Sequence, residues 1–170
     1  ELGRMAHTLE RLSLIDPLTN LPNRRAGQIK LLAWCQSAEQ KQQPFHIFQL
    51  DLDDFKTVND LYGQLIGDEI LQLVGQQLRS VIPSGSLIYR WLDDNFIILC
   101  PTSLILMPYD IAEKIQHAIN GKIMPSTLSI TCSIGFSSWQ AKQSSEDLLH
   151  NVEDALLSAK HAGKNCIKTA

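Results

Sequence analysis

The sequence predicts an α+β sandwich, with helices packed on a largely antiparallel sheet. Three observations carry this expectation. Apolar strand-like runs alternate with amphipathic helical stretches. Two of the runs are separated only by Leu92-Asp93-Asp94-Asn95 and so form a hairpin. The others are joined by helix-length crossovers with no internal repeat or low-complexity segment. A length of 170 residues suits one domain with one sizeable core.

Taken in order, Met5, Leu9 and Leu12 stand at helical spacing in residues 5–14. The stripe is short and reads as a linker helix arriving from an upstream domain. Asp16-Pro17 breaks it, because a residue before proline avoids helical geometry. The expected division is therefore 1–14 linker and 15–170 globular domain. Residues 25–42 read as a helix closing at Gln40-Lys41-Gln42-Gln43 and Pro44. Phe45–Leu52 is an apolar strand followed by acids. Ile66, Ile70, Leu73, Val74, Leu78 and Val81 mark a strong amphipathic helix, stopped by Pro83-Ser84-Gly85. Leu87–Trp91 and Phe96–Cys100 are the hairpin strands. Residues 108–120 are helical, and Leu128–Trp139 reads as one long strand. Ser144, with Asp147 three residues on, opens a last helix that runs to His161 and is ended by Gly163. Cys166–Lys168 suits a short edge strand.

Composition excludes several classes. A net charge of -3 gives no basic balance toward nucleic acid or an anionic membrane surface. No apolar run approaches the roughly 20 residues of a membrane span. The opening Glu1-Leu2-Gly3-Arg4 is not a signal peptide and lacks a starting Met, so the chain reads as a piece of something longer. Cys35, Cys100, Cys132 and Cys166 lie far apart with no C-x-x-C pair, which argues against zinc and a disulfide framework and for a reducing, cytoplasmic setting. That setting includes the cytoplasmic part of a membrane-anchored protein.

Three polar constellations stand out. Asp51-Leu52-Asp53-Asp54-Phe55-Lys56 ends a strand, where Asp51 and Asp53 share a face and repel unless a divalent cation or solvent compensates them. Asp93-Asp94-Asn95 tips the hairpin; these are turn formers, yet on an adjacent strand Asp94 can share a magnesium ion with Asp51. Lys160 and Lys164, four residues apart at a helix end, suit either ordinary macrodipole capping or a terminal phosphate. The five histidines show no ligand spacing, and Trp34, Trp91 and Trp139 are explained by core packing.

As a whole the pattern resembles the GGDEF family, the diguanylate cyclases. The matching stretches are Asp16-Pro17-Leu18-Thr19-Asn20-Leu21-Pro22-Asn23-Arg24-Arg25 and Asp51-Leu52-Asp53-Asp54-Phe55-Lys56-Thr57-Val58-Asn59-Asp60. Tyr62-Gly63-Gln64-Leu65-Ile66-Gly67-Asp68, Ser133-Ile134-Gly135 and the run from Asp154 to Asn165 continue the match in family order. The resemblance implies a palm-like sheet similar to that of adenylyl cyclases. Family members condense two GTP molecules into cyclic di-GMP across a homodimer with Mg²⁺. It further implies guanine contacts from Asn59 and Asp68 and metal contacts from Asp51, the Leu52 carbonyl and Asp94. Phe55, Lys56, Lys160 and Lys164 match positions near the phosphates. Lys164 is arginine in many members, so it keeps charge without the bidentate fork.

The signature departs from the family pattern, reading Leu92-Asp93-Asp94-Asn95-Phe96 after Arg90-Trp91. Leu92 and Asp93 replace two glycines, placing side chains where the backbone otherwise approaches the nucleotide. Asn95 replaces the second acid, and an amide cannot accept a proton. The product-inhibition motif R-x-x-D is likewise replaced, by Pro83-Ser84-Gly85-Ser86. The expectation is a degenerate, non-catalytic regulatory domain in bacterial cyclic di-GMP signalling. It would bind GTP with Mg²⁺ as an allosteric ligand and control a linked phosphodiesterase (EAL) domain. A purely structural dimerisation or docking module is the first alternative, and an active cyclase with an atypical signature the second.

Overall fold

The computed structural model describes residues 1–102, 106–122 and 124–170. Five strands form one sheet in the order β2-β3-β1-β4-β5. These are β1 Phe45–Leu52, β2 Leu87–Leu92, β3 Asn95–Pro101, β4 Cys132–Ser138 and β5 Ile167–Thr169. Six α-helices accompany them: α1 Leu2–Leu12, α2 Arg24–Lys41, α3 Phe55–Tyr62, α4 Gln64–Val81, α5 Pro108–Asn120 and α6 Ser145–His161. All pairings are antiparallel except β4–β5. The α+β sandwich expected from the sequence is the fold observed.

The two-residue period of β1 divides the core. Phe48, Leu50 and Leu52 face one side, where Ile70, Val74 and Leu78 of α4 and Ile111, Ile115 and Ile119 of α5 cover them. Phe45 and Ile47 face the other, under Leu31 and Cys35 of α2 and Leu148 and Val152 of α6. Both faces are apolar along most of β1, which is why that strand reads as a nearly continuous hydrophobic run. Helix α6 lies very close to the sheet. A Cβ on Gly135 of β4 would sit 2.3 Å from the backbone nitrogen of Leu156, so only glycine fits there.

Three differences from the sequence expectation have clear causes. Phe55–Tyr62 is a separate helix, ended by Gly63 at φ 88°; Phe55, Val58 and Tyr62 stand at helical spacing, but over eight residues with only Phe55 buried the stripe is short. The long strand begins at Cys132 rather than Leu128, because its ladder with β1 ends at the Leu52–Cys132 pair. Cys166–Lys168 is shifted by one residue to Ile167–Thr169. The helix expected over residues 5–14 is observed as Leu2–Leu12, and the side chains of Leu9 and Leu12 lie outside the described residues. All four cysteines are free. Among the described residues no helix is long and apolar enough to cross a membrane.

Candidate functional site

The end of β1 and the tip of the β2–β3 hairpin meet beside α3 and α4. The hairpin tip, α3 and α4 bound a cleft of about 560 Å³, whose walls include Phe55, Lys56, Asn59, Asp68, Asp93 and Asp94 but not Asp51 or Leu52. Phe55 is buried and roots α3 in the core, while Lys56 is exposed. Asn59 reaches α4 where that helix carries Gly67: a Cβ there would lie 1.8 Å from Asn59 Oδ1. That oxygen is buried and has no hydrogen-bond partner among the described residues. A buried, unpaired amide oxygen is costly and awaits a donor.

The carboxylates are compensated more fully than their spacing suggests. Asp51 is buried and forms an ion pair with Lys160 of α6 through Oδ2. Its Oδ1 is buried without a partner. Asp53 accepts from the Thr131 hydroxyl at 2.7 Å, the Ser133 hydroxyl at 2.7 Å and the Asn165 N–H at 3.0 Å, so it anchors loops rather than awaiting a cation. Asp54 pairs with Lys164 at 2.6 Å, both well exposed. The hydrogen bond and the negative charge of Asp54 raise the Lys164 pKa. In this structure Lys160 and Lys164 therefore meet carboxylates, and neither lines the cleft.

Asp94 differs. Burial, then its hydrogen bond with Asp51 and the charge of that neighbour, push its pKa up to about 7, against a smaller downward pull from Lys160. Two carboxylates facing one another, with one unpartnered oxygen, fit a hard divalent cation such as magnesium. Such an ion takes one or two protein carboxylates and completes its shell with phosphate oxygens and water. No group of three or more His, Cys, Asp or Glu side chains suited to a metal gathers among the described residues, so the protein alone does not build a closed cage. Leu52 can contribute only its backbone, since its side chain is buried in the core.

The hairpin turn is tighter than expected, with Leu92 and Asn95 paired and only Asp93-Asp94 between them. Asp93 takes φ 22°, a conformation that favours glycine. The β2–β3 register shifts between Arg90 and Leu92, just before the tip. Leu92 is 53% exposed and lines a neighbouring groove with Asp16 and Arg24, not this cleft. Of the two residues expected to obstruct a nucleotide, Asp93 lines this cleft and Leu92 does not. Asn95 does not line the cleft either. Its Oδ1 accepts a 2.9 Å hydrogen bond from Gln49 Nε2.

Arg90 was not singled out by its sequence position, yet it braces the tip. Its Nε donates to the Asp93 carbonyl at 2.9 Å, and its Nη1 donates to both Asp16 oxygens at 3.1 Å. Asp16 also accepts from the Thr19 N–H and hydroxyl. Burial pushes its carboxyl up, but Thr19 and Arg90 together hold it below its ordinary value. The Asp16–Thr19 spacing and the basic residue before the tip are the signals that could have found this brace. Pro83–Ser86, where the inhibition motif would stand, forms a turn closed by Ser86 N–H to Pro83 C=O at 3.2 Å.

This geometry agrees with what the chain is similar to. Residues 13–166 match the sequence family described as diguanylate cyclase, GGDEF domain. The chain belongs to the GGDEF family. It is 31% identical over 177 aligned residues to the diguanylate cyclase DgcM of Escherichia coli, covering all of this chain and 42% of DgcM. It is 32% identical over 167 residues to MucR of Pseudomonas aeruginosa, a bifunctional diguanylate cyclase/cyclic di-GMP phosphodiesterase, covering 96% of this chain and 24% of MucR. The chain thus spans less than half the length of either relative. The crystal structure of the coiled coil and GGDEF domain of DgcB from Caulobacter crescentus, in complex with c-di-GMP, matches with a TM-score of 0.86 at 26% identity. That match covers 99% of this chain and 93% of DgcB's. The fold is therefore that of GGDEF domains, and the domain belongs to cyclic di-GMP signalling.

Proposed function

We propose that this GGDEF domain does not condense GTP but binds it with Mg²⁺ as a regulatory ligand. One observation carries the reading. The cleft gathers Lys56, Asn59, Asp68 and Asp94, while position 95 holds an amide bonded to Gln49 in place of an acid. Asn59 and Asp68 offer an amide and a carboxylate to the guanine edge, which presents donors and acceptors together. Asp51, Asp94 and the Leu52 carbonyl would hold the cation, whose chemistry there is to neutralise phosphate charge. Lys160 and Lys164 turn from their carboxylates toward the phosphates. Asn95 cannot take a proton from an attacking hydroxyl, so general-base assistance is absent.

The regulated partner in this reading is a linked cyclic di-GMP phosphodiesterase, an arrangement for which MucR, a relative combining both activities in its name, is a precedent. A docking role is the second reading. It is favoured by Leu61, Tyr62 and Leu65, which are exposed together where α3 meets α4. The test is calorimetry with GTP and ATP in the presence of Mg²⁺, beside chromatography of GTP incubated with the domain. GTP binding, loss of preference over ATP in Asp68→Ala, and no cyclic di-GMP are expected. Sustained product formation would overturn the non-catalytic reading. No binding of millimolar GTP, or equal binding of ATP, would replace it with the docking role.

A further inference from the structure

Gln49 is out of place by every local criterion. It stands in the middle of β1 between Phe48 and Leu50, both fully buried, and is itself only 4% exposed. Its cross-strand neighbours are Ile97 in β3 and Gly135 in β4, the glycine over which α6 makes its closest approach. An amide enclosed in this way is costly unless its hydrogen bonds are met. One is met by Asn95, at 2.9 Å, and its Oε1 has no partner among the described residues. The period of β1 puts Gln49 on the same face as Asp51, and the ladder puts Asn95 directly opposite Asp51. Gln49 therefore reaches diagonally across the ladder to Asn95, the signature residue at which the resemblance implies a lost acid.

We propose that Gln49 is a positioning residue that holds the side chain at position 95 against the sheet, so that an acid restored there would not join Asp51 and Asp94. The inference rests on the reading that Asn95 is a lost acid, but it concerns a different residue and a different failure. A buried amide that donates to a neutral oxygen donates more strongly to a carboxylate. Replacing Asn95 with an acid thus tightens the contact that turns it aside. Freeing that acid requires removing the Gln49 donor as well, for example with leucine, the residue β1 already uses at positions 50 and 52.

Two measurements on the domain test this. In NMR spectra, the Gln49 side-chain N–H₂ protons are expected to be protected from exchange in the wild type, to lose protection in Asn95→Ala, and to regain it with a downfield shift in Asn95→Glu. Loss of protection in Asn95→Glu would overturn the proposal, whether or not the cleft binds nucleotide. In titrations with Mn²⁺ alone, followed by electron paramagnetic resonance, Asn95→Glu is expected to change affinity less than about threefold. Gln49→Leu/Asn95→Glu should gain at least about tenfold, one power of ten being the ordinary effect of about 1.4 kcal/mol. A tenfold gain in Asn95→Glu alone, or none in a folded double variant, would also overturn it. Because Mn²⁺ is the only ligand, these outcomes are separable from failure of GTP binding.

Discussion

Gly67→Ala should separate the fold from the binding function in a single substitution. A Cβ at position 67 would lie 1.8 Å from Asn59 Oδ1, 2.9 Å from Asn59 Cγ and 3.3 Å from Phe55 Cζ. The first two contacts involve the end of a side chain whose oxygen has no other partner, so Asn59 can swing away. An off-rotamer side chain costs about 0.5–1.5 kcal/mol. Alanine in place of glycine inside a helix returns about 0.8–1.0 kcal/mol. These nearly cancel, and urea denaturation should show a change within about 1 kcal/mol. Binding has no such compensation. Losing the hydrogen bond from Asn59 to guanine costs about 1–3 kcal/mol, or about 5- to 150-fold in Kd. Calorimetry of GTP with Mg²⁺ measures it. Asn59→Ala should lose a similar amount, and the double variant little more, because both changes remove one contact. GTP affinity in Gly67→Ala within twofold of the wild type would refute the reasoning.

Three further outcomes are expected. Asp93→Gly relieves a left-handed residue, a strain of at most about 1–2 kcal/mol that the greater backbone freedom of glycine partly offsets, and removes an anion from the cleft wall, so it should raise stability slightly and tighten GTP; weaker GTP binding would show that Asp93 is useful rather than obstructive. Arg90→Lys cannot bridge the Asp93 carbonyl and Asp16 together, and should cost about 1–3 kcal/mol in urea denaturation; a loss below about 0.5 kcal/mol would mean that the tip does not need the brace. Burial lowers the pKa of His46, whose Nδ1 lies 2.8 Å from the Ser138 hydroxyl. The unfolded state therefore binds a proton at a higher pH than the folded one. The His46 contribution is complete above the unfolded value of 6.5 and is lost as pH falls from there through the lower folded pKa. The slope is at most about 1.4 kcal/mol per pH unit. His46→Gln should remove that part of the pH dependence, and an unchanged profile would assign it elsewhere.

Most of the architecture was legible because burial on this sheet obeys simple periods. β1 alternates between two apolar layers, α4 shows a clear helical stripe, and α6 announces its start with Ser144, whose side chain accepts from the Asp147 N–H at 3.0 Å. Legibility failed where an element's stability comes from its neighbours. Helix α3 is a two-turn element held by Phe55 and Val58 against the core and ended by Gly63, too short for its stripe to stand apart from the acids before it. The start of β4 is set by where β1 ends, and Thr131, read as strand, instead gives its carbonyl to the Asp53 N–H at 2.9 Å. The register shift between Arg90 and Leu92 is likewise not marked by any residue pattern in the hairpin.

The site was legible as a set of residues but not as an electrostatic arrangement. Sequence spacing presents Asp51, Asp53, Asp54 and Asp94 as uncompensated acids, and Lys160 and Lys164 as uncommitted cations. In the folded chain Lys160 meets Asp51, Lys164 meets Asp54, and Asp53 is satisfied by two hydroxyls and a backbone N–H. Binding a triphosphate is therefore an exchange of ion pairs rather than a gain of them. If the lysines turn toward phosphate, Asp51 and Asp94 are left facing each other, and only a cation can balance them. Nucleotide and cation should then bind together or weakly apart, with the net electrostatic gain much smaller than a count of contacts suggests. Discrimination must come from elsewhere in the cleft, from groups the resting fold leaves unpaired. Asn59 Oδ1, buried beneath Gly67 and without a partner among the described residues, is such a group, and in the proposed reading it serves the guanine rather than the phosphates.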